Sequence, residues 1–106
     1  MTEEQIAAEM DKRYDKFGRE IDLEAFFKLK GDLLYKIVAR HETIGKIVST
    51  VWHGRNERDD EGQPLIFETR IFDWDGSDEL WKKYSTQDEA LEGHVAAVTQ
   101  IRFEEK

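Results

Sequence analysis

Three apolar runs follow one another with little chain between them: LLYKIVAR at 33–40, KIVSTVWHG at 46–54 and LIFETRIF at 65–72. Each alternates or is β-branched in the manner of a strand. Parallel neighbours need a crossover of a dozen or more residues, usually helical. HETIG (41–45) is too short for one, and Gly45 supplies the residue that a tight turn requires at positive φ. RNERDDEGQP (55–64) is a polar loop ended by the only proline. Asp75-Gly76 within DWDGSDE (73–79) marks another turn, and LWKKY (80–84) reads as a short fourth strand. An antiparallel meander of four strands is the expectation.

Helices flank it. Thr2 with Gln5 forms a capping-box pattern, and Ile6, Met10, Tyr14 and Phe17 recur at helical spacing up to Gly18. Asp22 caps a second short helix that buries Leu23, Phe26 and Phe27 and stops at Gly31. Thr86 and Glu89 open a C-terminal helix. The expected class is α+β: a four-stranded antiparallel meander, two short N-terminal helices, and a C-terminal helix packed on one sheet face. Residues 1–106 read as a single domain, with no linker, repeat or low-complexity tract.

Composition narrows the function. The net charge of −8 disfavours direct nucleic-acid binding, which needs a basic surface to displace counterions. Without cysteine the chain has no disulfide, thiol nucleophile or Cys-based zinc site. MTEEQIAAEM lacks a basic region followed by an apolar core, so no secretory leader is expected. No apolar run approaches the roughly 20 residues of a membrane span, and a cytoplasmic setting is the expectation.

The C-terminal helix places Leu91, Val95 and Val98 at one spacing and Leu91, His94, Val98 and Ile101 at another. His94 therefore lies on the sheet-facing side or its edge. As a working group it would be a general acid or a ligand. The favoured reading is a packed histidine hydrogen-bonded into the sheet layer, because no carboxylate on the same helix is spaced to orient it, Glu92 and Asp88 pointing elsewhere. Gly93 costs this helix about 1 kcal/mol against alanine, a loss that close approach of another backbone would explain.

Strand parity sorts the side chains further. Tyr35, Ile37 and Ala39 oppose Lys36, Val38 and Arg40. Ile47, Ser49 and Val51 oppose Val48, Thr50 and Trp52, and Leu65, Phe67, Thr69 and Ile71 oppose Ile66, Glu68, Arg70 and Phe72. With the first set of each strand turned to the helices, the other face shows Lys36, Arg40, Thr50, Trp52, Glu68 and Arg70. Thr50, Trp52, Glu68 and Arg70 are the candidate binding residues: an aromatic among charges, as in interface hot spots. The plain alternative is a solvated face with Trp52 packed under an arginine. A slip of one residue exchanges the two faces.

The segments VSTVWHG (48–54), PLIFETRIF (64–72) and YSTQDEALEGH (84–94) resemble a family of small uncharacterised proteins from phages and actinobacterial genomes. The resemblance spans roughly 33–98. The family has an apolar residue where His53 stands and a shorter, Gly-rich loop at 55–63, so neither belongs to a shared role. A phage-type accessory protein in the host cytoplasm is what the resemblance implies, with no activity attached.

No Gly-rich phosphate loop, nucleophile elbow or H-E-x-x-H spacing is present, and the acids of 73–79 make too short a loop for a calcium cage. No catalytic residue, metal or cofactor is expected. The leading expectation is a non-enzymatic binding module that uses one sheet face to hold a host or phage protein or a second copy of itself. Alternatives are an acidic inhibitor imitating nucleic acid, a small-nucleotide sponge with Trp52 stacked on a base, and a small enzyme pairing Glu68 with His94. Sixteen Lys and Arg interspersed among the acids argue against the mimic, and opposite sheet faces argue against the enzyme.

Overall fold

The computed structural model describes residues 2–5, 12–43 and 45–104. Its centre is a sheet in the order β3 (Ile37–Thr43), β4 (Lys46–Trp52), β5 (Phe67–Asp73), β6 (Asp78–Tyr84), every neighbouring pair antiparallel. The expected meander is therefore the fold. A long helix, α3 (Gln87–Glu104), crosses one face and touches all four strands. Ahead of the sheet lie a two-stranded ribbon, β1 (Arg13–Tyr14) with β2 (Glu20–Ile21), and two short helices, α1 (Leu23–Lys30) and α2 (Leu33–Lys36). Among the described residues no helix is long and apolar enough to cross a membrane.

Local chemistry explains most boundaries. Thr2 and Gln5 exchange the two bonds of a capping box, and residues 3–5 are helical. Ile6 and Met10 lie outside the described residues. The expected helix does not reach Tyr14 or Phe17, because Tyr14 is a strand residue whose N–H donates to the Gly54 carbonyl at 2.9 Å. Asp15 then closes the ribbon turn, accepting from the N–H groups of Phe17 and Arg19. Asp22 caps α1 by accepting from Ala25 N–H at 2.8 Å, and Gly31 ends it. Of the apolar side chains expected inside, Phe26 is buried while Leu23 and Phe27 stay exposed.

Residues 33–36 are helical rather than the start of the first strand. Asp32 accepts from Tyr35 N–H and nucleates a turn before extension begins at Ile37. Strand pairing then runs through Thr43, so the first hairpin is tighter than HETIG suggested. A bulge between Ile37 and Ala39 turns Val38 toward the helix-side core, and a second, opposite Thr69–Arg70, inserts Trp81 into β6.

Two apolar clusters fill the helix side. One joins Tyr14, Phe26, Trp52, Ile66, Phe67, Tyr84 and Ala90; the other joins Val48, Ile71, Ala97 and Ile101. The Trp52 indole meets the Phe26 and Tyr35 rings and donates Nε1–H to the Tyr14 carbonyl at 3.0 Å. Gly54, at φ 69°, lies flat against that indole, where a Cβ would collide with the ring. The helix buries Ala90, His94, Ala97 and Ile101, while Leu91 and Val95 of the expected stripe face outward. Small alanines let α3 sit close to the sheet.

Gly93 has the same cause in sharper form. Its neighbour is a side chain, not the backbone expected: the Tyr84 ring occupies the space a Cβ would need. Gly93→Ala should therefore destabilise by about 1–3 kcal/mol through overpacking, against the helix-propensity gain of about 1 kcal/mol expected on an open surface. Urea unfolding of the two proteins measures the difference, and a more stable variant would show that the ring is not held there.

Candidate functional site

Directly paired residues on antiparallel strands project to the same face. Val48 pairs with Ile71, Thr50 with Thr69 and Trp52 with Phe67, and all six are buried under α3 or the N-terminal elements. Ser49 pairs with Arg70 and Val51 with Glu68, on the opposite face. The structure thus divides the four sequence candidates. Thr50 and Trp52, 0% and 1% exposed, are core; Glu68 and Arg70 project to the opposite face, where Glu68 is itself buried and Arg70 half-buried. Parity was right for β5 and inverted for β4, and the bulge at Val38 moved Ile37 to the open face opposite Val51. Trp52 has no surface on which a nucleobase could stack.

The open face reads, strand by strand, Ile37, Arg40 and Glu42; Val51, Ser49 and Ile47; Glu68, Arg70 and Phe72; Lys83, Leu80 and Asp78. Its charges are paired along it. Arg70 donates Nε–H to Glu68 at 3.2 Å and a second N–H to Asp78 at 3.0 Å, and Arg40 lies 3.1 Å from Glu42. Both carboxylates raise the Arg70 pKa further, Glu68 most. At the far end the 55–64 loop folds back, and Glu57 pairs with both Lys83 and Arg55. The Lys83 hydrogen bond holds the Glu57 carboxyl below its usual range.

His53 continues the Val51 side of β4 beyond the strand. Its backbone N–H donates to the Ile66 carbonyl at 2.9 Å, and its Nδ1 accepts from Arg55 N–H at 3.1 Å. Sequence reasoning set His53 and its loop aside, yet they form the rim of the open face. The available signal was the parity of His53 with Val51, which needed the correct face for β4.

Beneath α3 lies a polar chain. Tyr84 O–H donates to Thr69 Oγ1 at 3.2 Å, Thr69 and Thr50 hydroxyls are 2.5 Å apart, and Thr50 Oγ1 is 2.7 Å from His94 Nδ1. Burial pushes the Tyr84 phenol pKa up, so it remains a donor. One direction satisfies every proton: Thr69 donates to Thr50, and Thr50 donates to a neutral His94 protonated at Nε2. His94 is a packed histidine bonded into the sheet layer, as expected. Glu68 is on the other side of the sheet and is no partner for it. The acids of 73–79 are spent on a hairpin: Asp75 accepts from Ser77 N–H and Oγ–H, and Asp73 pairs with Lys46. Among the described residues no three His, Asp or Glu gather to hold a metal.

Comparison with protein-family models, curated proteins and solved structures finds no match.

The polar chain sets a pH dependence. Burial lowers the His94 pKa from its ordinary value, and proximity to His41 lowers it further. Burial also lowers that of His53. An unfolded histidine, with pKa about 6.5, therefore takes up its proton before the folded one. Stability is complete above about pH 6.5 and is lost as pH falls below it. Thermal midpoints at pH 7.5 and 5.0 should drop less for His94→Gln than for the wild type, while His94→Ala should cost about 1–3 kcal/mol at neutral pH by orphaning Thr50. Equal acid losses in wild type and His94→Gln would sink this assignment.

Proposed function

We propose that the chain is a non-enzymatic binding module whose open sheet face pairs with the same face of a second copy. The observation that carries the reading is charge balance. The strands bring Arg40, Arg70 and Lys83 together with Glu42, Glu68 and Asp78, three of each sign, within a chain of net charge −8. Two like-charged chains repel over most of their surfaces, and this face is where they can meet without that penalty. Ile37, Ile47, Val51, Phe72 and Leu80 give it apolar area, and α3 leaves it uncovered.

Size and symmetry support the same partner. Four strands about 4.8 Å apart and about 24 Å long give a flat footprint on the order of 450 Å². Side-chain relief takes the accessible area toward the ~800 Å² per partner of a standard interface. At the hairpin end, Ile47 and the exposed Trp74 wall a notch of about 270 Å³ that extends the apolar margin. A twofold axis would present each Glu68–Arg70–Asp78 ladder to its own copy, a self-complementary arrangement. The broader role, a phage-type accessory protein in a host cytoplasm, rests on the resemblance of segments 48–54, 64–72 and 84–94.

The test is mass in solution. Sedimentation equilibrium of the wild type at about 100 μM should give a dimer. Ser49 stands at the centre of the face between Arg40 and Arg70. Ser49→Glu should keep the fold, since the new carboxylate has cations on both neighbouring strands. It makes the face net negative and should weaken dimerisation at least about tenfold, or about 1.4 kcal/mol. A monomeric wild type at that concentration refutes the proposal, as does a folded Ser49→Glu of unchanged dimer affinity.

A further inference from the structure

At the edge of the open face, where α1 and α2 end against β4, lies a cleft of about 230 Å³. Lys30, Lys36, Val51, Trp52, His53 and Arg55 line it. No acid is among them, although acids outnumber bases by 24 to 16 in the chain. Lys30 and Lys36 occupy the last turns of α1 and α2, and Lys30 Nζ rests over the Phe26 ring at 5.8 Å from its centre. Arg55 pairs with Glu57 at 3.7 Å, at the long end of ion-pair range.

His53 adds an independent observation. Its Nδ1 accepts a hydrogen bond from Arg55 N–H, so the neutral ring carries its proton on Nε2. That Nε2 is buried and has no hydrogen-bond partner among the described residues. A buried donor left unpaired costs about 1–3 kcal/mol, and folded proteins rarely tolerate one. What it lacks is an acceptor; Lys30 and Lys36 have no ion-pair partner among the described residues, while Arg55 shares Glu57, and Glu57 and Glu68 stand near the ring. An oxyanion supplies the acceptor and a counter-charge for the lysines at once.

We propose that this cleft binds a small phosphate, free or as the terminal group of a phosphomonoester, with His53 Nε2–H donating to one oxygen and Lys30, Lys36 and Arg55 balancing the charge. The volume is below that of a drug-sized ligand pocket and accommodates a small oxyanion. Charge-assisted hydrogen bonds from lysine and arginine supply the attraction, and the arginine fork can meet two oxygens. Trp52, a core residue packed on Phe26, lines the cleft, so the site adjoins packed elements. The proposal requires no residue of a second copy, although Val51 borders both the cleft and the open face.

Titration of the ¹⁵N-labelled full chain with inorganic phosphate, followed by NMR at constant ionic strength, tests it. Saturable shifts are expected at the Lys36, Val51, His53 and Arg55 amides and at the His53 ring Nε2, with glycerol 3-phosphate moving the same signals. Stronger shifts with the ester assign the site to a phosphate-bearing molecule, and equal shifts to free phosphate. His53→Phe fills the ring's space without a donor; it should bind phosphate at least about tenfold more weakly while remaining folded, the Arg55 N–H being left to solvent. Lys36→Glu, at a half-buried helix end, should abolish binding without unfolding the chain. The proposal is overturned by no saturable shift, by sodium chloride reproducing the shifts with the same concentration dependence, or by undiminished binding in both variants.

Discussion

The contact between the Thr50 and Thr69 hydroxyls at the middle of the sheet fixes more of this structure than any apolar pair does. It joins the two central strands, and through Thr50 it reaches His94 on α3, and through Thr69 it reaches Tyr84 on the edge strand β6. Four polar side chains from four elements are thereby linked beneath α3, with the two threonines fully buried. Apolar packing is forgiving about where a helix lies along a sheet; a hydrogen-bond chain is not, because a slip of one residue would leave several buried polar groups unpaired. Gly93 follows from the same chain. The helix must come close enough for His94 to meet Thr50, and the Tyr84 ring then fills the space beside residue 93.

That arrangement also decides which face is open. Committing Thr50 to the helix side commits Val48 and Trp52 with it, and leaves Ser49, Val51, Glu68 and Arg70 to the other side. The cations and carboxylates of the central strands are then confined to one surface, where Arg70 bridges Glu68 and Asp78. The Arg70–Asp78 pair is exposed and contributes little to stability, about 0–1 kcal/mol, whereas the Glu68 carboxylate is buried and needs Arg70 as its partner. The effect of the exposed pairs is on association, since they neutralise a surface that the composition would otherwise make acidic.

The architecture was legible from loop lengths and turn residues, because a meander is nearly forced once the connections are too short for crossovers. The caps at Asp22 and Thr86 were legible for the same local reason. The face of β4 was not. In IVSTVW every residue but the serine and threonine is apolar, so alternation carries no contrast, and a buried threonine looks like a surface one. The deciding information is the partner: Thr50 is inside because His94 and Thr69 are there to bond it. Two further misreadings share a cause. Asp32 bends residues 33–36 into a helical turn, and the Val38 bulge then shifts the parity of the strand that follows. Both are one-residue events within an otherwise persuasive strand pattern. The basic cleft was illegible because Lys30, Lys36 and Arg55 come from three separate segments.

The N-terminal ribbon links the core to the rim of the open face. Tyr14 binds Gly54 backbone to backbone, and its own carbonyl takes the Trp52 indole proton. Gly54 is able to do this because a positive φ and the missing Cβ let the chain press onto the indole. Immediately before it, His53 turns its Nδ1 to Arg55, and immediately after, the 55–64 loop swings out to bring Glu57 over Lys83. Three consecutive residues, Trp52, His53 and Gly54, therefore face three ways: into the core, toward the open face, and against the ribbon. The left-handed glycine makes that sequence of directions possible, and any residue with a side chain there would have to displace either the indole or Tyr14. The orientation of His53 at the rim is thus a consequence of how Trp52 is packed. Loosening the core at Trp52 would be felt at His53 before it was felt at Arg70, which is held by carboxylates on its own and the neighbouring strand.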